Sequence, residues 1–324
     1  MKIQVNVQDQ PRLDKFVMSQ ELSEIYSRSY VNKLIDDGCI KVNCKIEKKS
    51  YKLNFGDEIE INLPEKKNEF SVEAQDLPLE IIYEDEYLAI VNKPTDMAVH
   101  PAPGHPNFTL VNAVAFHLNG KLSSGSTSFR PGIVHRLDKD TTGLVIIARD
   151  DKTHALLSDM FQKRQIEKYY LAITTSIPKD ESGTIETFIG RSSLDRKKMA
   201  VVAEGKLAIT HYEIQEYFDF FSLCRVKLET GRTHQIRVHF SHINCPILGD
   251  HTYSTFKRAI NQLPENYKKK AKYLLANHLT RQALHAYQLK FIHPITGVEI
   301  FAEAPIPEDM QYTLEWLRKN FVTR

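Results

Sequence analysis

The chain is short of tryptophan, with one residue in 324, and of cysteine, with four. Cys39, Cys44, Cys224 and Cys245 form no C-x-x-C pair. Neither a zinc knuckle nor a disulfide framework is therefore indicated, and a reduced, cytoplasmic setting is the default. No apolar run approaches the roughly 20 residues that span a bilayer. The opening residues Met1 to Gln8 alternate in polarity and lack a signal-peptide core. Charge of one sign is also missing, with 43 Lys and Arg against 41 Asp and Glu, a formal net charge of +2. A nucleic-acid partner would have to be met by clustered basic residues rather than by an overall excess. There is no P-loop and no G-x-G-x-x-G dinucleotide fingerprint. What remains is an ordinary soluble composition, 42% hydrophobic and 26% charged, in a chain long enough for two domains.

The first domain is expected over residues 11–62. Leu13, Phe16 and Val17 share one helical face. A second helix starts near Ser27 or Ser29, buries Val31, Leu34 and Ile35, and ends at Gly38. Strands follow at Ile40–Asn43 and Asp57–Ile61. Arg28 and Lys33 lie off the apolar face and would, by themselves, be a solvated surface. The order of these features is similar to the S4 RNA-binding module, which implies that Arg12, Lys15, Arg28 and Lys33 contact phosphates and position RNA without reading its sequence. Pro64–Glu69 opens a polar linker over 63–76. The larger domain, 77–324, alternates short β-rich runs with a few helices and shows no βαβ rhythm. The class is α+β around a largely antiparallel mixed sheet flanked by helices and loops. The lysines of Tyr267-Lys268-Lys269-Lys270 sit on a helical excursion between Tyr253 and Ala276.

One stretch carries the chemistry: His135-Arg136-Leu137-Asp138-Lys139-Asp140-Thr141-Thr142-Gly143-Leu144. A carboxylate sits beside an arginine in a small-residue turn, directly before the apolar strand Leu144–Ala148. Taken alone, an Asp before Thr-Thr-Gly also serves as a turn former. The segment closely resembles the catalytic motif of the RluA-type pseudouridine synthases, H-R-L-D-x-x-T-S/T-G-L. Asn92-Lys93-Pro94-Thr95-Asp96-Met97-Ala98-Val99-His100-Pro101 resembles a second family segment, with Asp96 in place of a glycine; Asp tolerates positive φ better than most residues if that position needs it. Glu167–Ile173 reads as a strand with Tyr169, Leu171 and Ile173 on the core face, and the family pattern K-x-Y-x-A selects Tyr170. Thr230-Gly231-Arg232-Thr233-His234-Gln235-Ile236-Arg237-Val238-His239 matches a third family signature throughout. Thr233 is its expected N-cap, and Ile236, Phe240 and Ile243 form the apolar stripe. Cys245–Asp250, Arg281–Ala286 and a closing hairpin at His293–Gly297 match as well.

The resemblance implies a pseudouridine-synthase-like fold and an enzyme that isomerises uridine within RNA. The N1–C1′ bond breaks, the base turns, and it rejoins through C5, with no cofactor. Asp138 is implied as the essential carboxylate, acting on C1′ directly or by assisting a sugar-derived intermediate. Arg237 would pair with it and keep it in the ionised, nucleophilic form. Tyr170 would stack on the uracil and take part in proton transfer. Arg136 and His135 would contact RNA, and Arg136 would fill the space left by the flipped base. His234, His239 and His242 fit no zinc spacing, so no metal is expected. The stretch His100–Pro106 with Thr109–Ala113 resembles the RluD branch, which points to large-subunit ribosomal RNA; a tRNA substrate is the alternative, and a monomer without a membrane or protein partner is the default. Two rival readings are a non-catalytic RNA-binding protein, which the presence of Asp138, Tyr170 and Arg237 opposes, and a glycosidase using Asp138 with Asp140, which leaves Arg237 and the S4-like unit unexplained.

Overall fold

The computed structural model describes residues 1–20, 22, 25, 28–63, 72–101, 106–124, 130–196, 198–254, 260–261 and 263–321. The expected linker start at Pro64, the Ser27 cap, the middle of the 100–106 segment and part of the 253–276 excursion lie outside these residues.

In the N-terminal unit, helices α1 (Leu13–Ser19) and α2 (Arg28–Asp36) pack on an antiparallel sheet of β1 (Lys2–Gln4), β2 (Ile40–Val42) and β3 (Glu58–Ile61), in the order β1-β3-β2. The expected helical face is the buried one. Leu13, Phe16 and Val17 meet Val31, Leu34, Ile35, Ile40, Val42 and Ile59 in one core. Gly38, at φ +72°, closes α2 with a Schellman pair: the Cys39 N–H donates to the Leu34 carbonyl at 2.8 Å and the Gly38 N–H to that of Ile35 at 3.0 Å. Residues before 11 also pack on this unit, since β1 pairs with β3 and Val5 is fully buried.

The larger unit is built on a ten-stranded sheet. Its strands are β4 (Glu80–Glu84), β5 (Leu88–Lys93), β6 (Thr142–Ala148), β7 (Glu167–Thr174), β8 (Ser182–Arg191), β9 (Met199–Val201), β10 (Lys206–Phe218), β11 (Phe221–Leu228), β12 (Leu284–Ile292) and β13 (Glu299–Glu303). The order is β4-β5-β6-β12-β7-β11-β10-β8-β9, with β13 paired to β12. All these pairings are antiparallel except β6 with β12, which is parallel over two residue pairs. Around the sheet lie α3 (Leu110–His117), α4 (Asp151–Gln162), α5 (Gln235–His242), α6 (Glu265–Asn277) and α7 (Glu308–Asn320). Among the described residues, no helix is long and apolar enough to cross a membrane.

The unbroken apolar run of β6 is explained by burial on both faces. Val145 and Ile147 enter one core with α3, while Leu144, Ile146 and Ala148 enter another with Leu157 of α4. Residues 72–76, expected as linker, belong to this unit: Val72 joins its core, and Asn112 of α3 bonds the backbone of Glu73 and Gln75. The lysine-bearing helix α6 buries Ala271, Leu274 and Leu275 and leaves Lys269 and Lys270 exposed.

The parallel junction brings the motif turn beside β7. Gly143 of β6 is in register with Ala286 of β12, and Ala286 in turn with Tyr170 of β7. At φ +110°, a Cβ on Gly143 would lie 2.2 Å from the Ala286 carbonyl oxygen. Only glycine fits this approach. Gly143→Ala is expected to cost about 3 kcal/mol or more of unfolding free energy, the scale of backbone strain combined with overpacking, read as a shift of the urea midpoint.

Candidate active site

The Asp138 turn is held from three directions. Within it, the Thr141 N–H donates to the Asp138 carbonyl at 3.1 Å. From the β5 end, Lys93 is fully buried and its Nζ donates to the carbonyls of Pro94, Met97 and Lys139 at 2.8, 3.0 and 2.8 Å. Burial pulls this ammonium down to about 7, with Asp140 opposing. Asp96 has φ +57°, the positive value that its motif position prompted, and pairs with Lys139 at 2.7 Å. From the β12 side, Arg281 Nη1 donates to the Asp140 carbonyl at 3.1 Å, Gln282 Nε2 to Thr141 Oγ1 at 3.2 Å, and His285 Nδ1 lies 2.9 Å from Thr142 Oγ1. Arg281 is itself clamped by Asp309 at 2.6 and 2.9 Å. The family segments around Lys93 and Arg281 thus brace the turn.

Across the turn stands α5. Its N-cap is His234 and not the expected Thr233. Gln235 organises the loop differently: its Oε1 accepts from the Thr230 hydroxyl and the Arg232 N–H, and its Nε2 donates to Ile209 and Thr210 of β10. His234 consequently adopts a left-handed conformation, φ 56° and ψ 20°. Arg237, one turn on, is 6% exposed. Its Nε and Nη2 donate to the two oxygens of Asp250 at 2.7 and 3.0 Å, and its Nη1 to Asp138 Oδ2 at 2.9 Å. Burial works against the guanidinium charge, but the Asp250 bonds outweigh it, with Asp138 adding to them, and its pKa is raised. Asp250 is 2% exposed, and its Oδ1 also accepts from the Thr252 and Tyr253 N–H groups at 2.8 and 3.1 Å.

Asp138, Arg237 and Tyr170 line one open cleft of about 90 Å³, together with Arg136, Thr141, Arg232 and His234. Tyr170 is buried, whereas Tyr169, expected on the core face, is the less buried of the two and carries Arg225 over its ring at 4.3 Å. The sheet is covered on both faces here, so alternation alone could not rank them. Burial, then the Asp138 charge, raise the Tyr170 phenol above its ordinary pKa, so it enters any reaction as a neutral phenol. Arg136 is exposed at the cleft.

His135 is half-buried and engages β6 and α4. Its ring lies 4.7 Å from that of Phe161 in α4, and its Nε2 accepts from the Ile146 N–H at 2.8 Å. Burial holds it neutral, with a pKa of about 3, so it anchors the motif to β6. In the N-terminal unit, Arg12 and Arg28 converge on buried Asp14, at 3.1 and 2.7 Å, whose carboxyl they hold low against the opposing effect of burial. Lys15 and Lys33 are exposed. Among the described residues, no group of three His, Cys, Asp or Glu side chains is arranged to hold a metal. His239 instead engages Thr210 and Thr187 at 2.8 and 3.0 Å. Sequence reasoning assigned no role to Asp250, Lys93, Arg281 or Asp309. A carboxylate directly after the apolar Pro246-Ile247-Leu248-Gly249 was the available signal for Asp250, since a buried charge must be paired.

A carboxylate paired to a buried guanidinium thus stands beside a phenol at one cleft of the mixed sheet. A family model described as RNA pseudouridylate synthase matches residues 87–242, and one for the S4 domain matches residues 11–59. An uncharacterized RNA pseudouridine synthase of Bacillus subtilis is 40% identical over 97% of this chain and 96% of its own. The ribosomal large subunit pseudouridine synthase D of Escherichia coli is 40% identical over 94% of this chain and 91% of its own. The solved structure of human RNA pseudouridylate synthase domain containing 4 superposes with a TM-score of 0.56 at 28% identity, covering 74% of this chain and 93% of that one. The chain belongs to the RNA pseudouridine synthase family and is an isomerase.

Two outcomes follow from this geometry. Arg237→Met leaves two carboxylates without their cation and is expected to lower unfolding free energy by about 3–5 kcal/mol, measured by urea denaturation. His100, His239 and His285 are held at about 4, and His135 at about 3, in each case chiefly by burial, against an ordinary value of 6.5. Because the unfolded chain binds these protons first, their stabilisation is complete above about pH 6.5 and is lost as pH falls toward 4, by about 1.4 kcal/mol per pH unit for each proton. Stability measured across that window should fall with acidification, and more gently in His135→Gln.

Proposed function

We propose that this isomerase acts on uridines of large-subunit ribosomal RNA, in the cytoplasm and as a monomer, with Asp138 as its essential nucleophilic carboxylate. The observation that carries the assignment of Asp138 is its pairing with Arg237 Nη1 at 2.9 Å while its side chain stays 18% exposed to the cleft. The carboxylate is oriented from below and open to a ligand from above. The ribosomal substrate is supported by relatives of nearly full coverage, such as that of Escherichia coli, whose name specifies the large ribosomal subunit.

In this reading the target uridine leaves its stack, since its sugar is unreachable within a helix, and Arg136 at the cleft takes up the vacated space. Asp138 acts at C1′ as the N1–C1′ bond breaks, and the electron pair leaves with uracil. Neutral Tyr170 holds the base while it turns. C5 then bonds C1′ and gives up its hydrogen. Arg12, Lys15, Arg28 and Lys33 contact phosphates, with Asp14 fixing the two guanidinium groups.

Tritium release from RNA labelled at uridine C5 reports the new C–C bond. Wild-type protein should release tritium from large-subunit rRNA, and Asp138→Asn should release none while binding the RNA with nearly unchanged affinity. Release from tRNA alone would overturn the substrate, and turnover by Asp138→Asn would overturn the role of the carboxylate.

A further inference from the structure

Arg237 serves one oxygen of Asp138. The other, Oδ1, faces the Nε2 of His234 at 3.9 Å, about 0.7 Å beyond the usual hydrogen-bond range. Three features show that this imidazole is built into its place. Its backbone is left-handed, at φ 56°, which a non-glycine residue adopts at a cost and which recurs at functional sites. Its ring stands edge-on to Tyr253, with centroids 5.6 Å apart. Its Nδ1 lies 2.7 Å from the Tyr253 hydroxyl.

That hydroxyl also accepts from the Met199 N–H at 2.9 Å. The phenol keeps one proton to donate beside the Met199 contact, and His234 Nδ1 is the acceptor it faces. A neutral imidazole that accepts at Nδ1 carries its proton at Nε2. The donor then points at Asp138 and into the cleft. Burial keeps the imidazole below its ordinary pKa, with the charge of Asp138 opposing, so the neutral form is the relevant one.

We propose that His234, fixed as its Nε2–H tautomer by Tyr253, is a positioning residue for Asp138, donating to Oδ1 when substrate closes the cleft. The carboxylate is then held through both oxygens, by Arg237 on one side and His234 on the other. Catalytic hydrogen bonds that are long in an empty site commonly tighten in the substrate complex. This inference rests on the reading of Asp138 as the essential carboxylate.

The test combines a direct observation of the tautomer with kinetics on the full-length protein. Long-range proton–nitrogen correlation spectra of 15N-histidine-labelled protein should show His234 protonated at Nε2, and a mixture of tautomers in Tyr253→Phe. An Nδ1–H tautomer in the wild type would overturn the proposal. His234→Gly suits the left-handed backbone and removes the donor; kcat for tritium release should fall about 10- to 100-fold, the scale of one charge-assisted hydrogen bond, with KM little changed. His234→Gln keeps an N–H donor and should recover most of that loss. Unchanged kcat in His234→Gly, or equal loss in both variants, would refute the positioning role. Asp138→Asn, run alongside, separates the two readings: its activity would remove the essential role of the carboxylate itself, whereas an inactive Asp138→Asn beside a fully active His234→Gly would reject the role of His234 alone.

Discussion

The site depends on a single guanidinium shared by two carboxylates. Arg237 is buried, and its charge is tolerable there because Asp250 takes it bidentately and Asp138 takes the remaining nitrogen. Asp250 does not move, because its own oxygen is tied to the backbone of Thr252 and Tyr253. Fixity therefore passes from main chain to Asp250, from Asp250 to Arg237, and from Arg237 to the carboxylate of Asp138. A lysine could not do this, since it offers a point charge where two carboxylates need a planar fork.

The rest of the large unit serves the other end of that contact. The Asp138 turn is braced on its carbonyls by Lys93 and Arg281 and on its side chains by Gln282 and His285. Gly143 lets β6 come close enough to β12 for these bonds to form. The two-residue parallel pairing between β6 and β12 is a small fraction of the sheet, yet it sets the distance between the turn and Tyr170.

The ordered motifs made much of this visible in the sequence. The helical faces of the first unit, the buried strand Leu144–Ala148 and the Gly38 cap follow from local rules, and local rules suffice where a segment makes its own structure. They fall short where a distant partner decides. His135 is turned inward by an N–H donor on Ile146 and by the ring of Phe161. Thr233 loses the cap position because the side chain of Gln235 reaches back over the loop. Residues 72–76 look like linker in composition but meet α3. Asp250 and Asp309 carry no local mark of their partners, which lie on other segments of the chain.

The bracing of the turn also fixes when the site can exist. The chain is made from its N-terminus, and the turn at Asp138 emerges long before its supports. Arg281 meets the Asp140 carbonyl across 141 positions and is held by Asp309 on α7. The S4-like unit closes its own core among the first 63 residues, so it can fold while the growing chain still lacks a finished turn. The brace on the turn is complete only once α7 supplies Asp309, so a chain cut before that helix would carry the whole Asp138 motif without its full support.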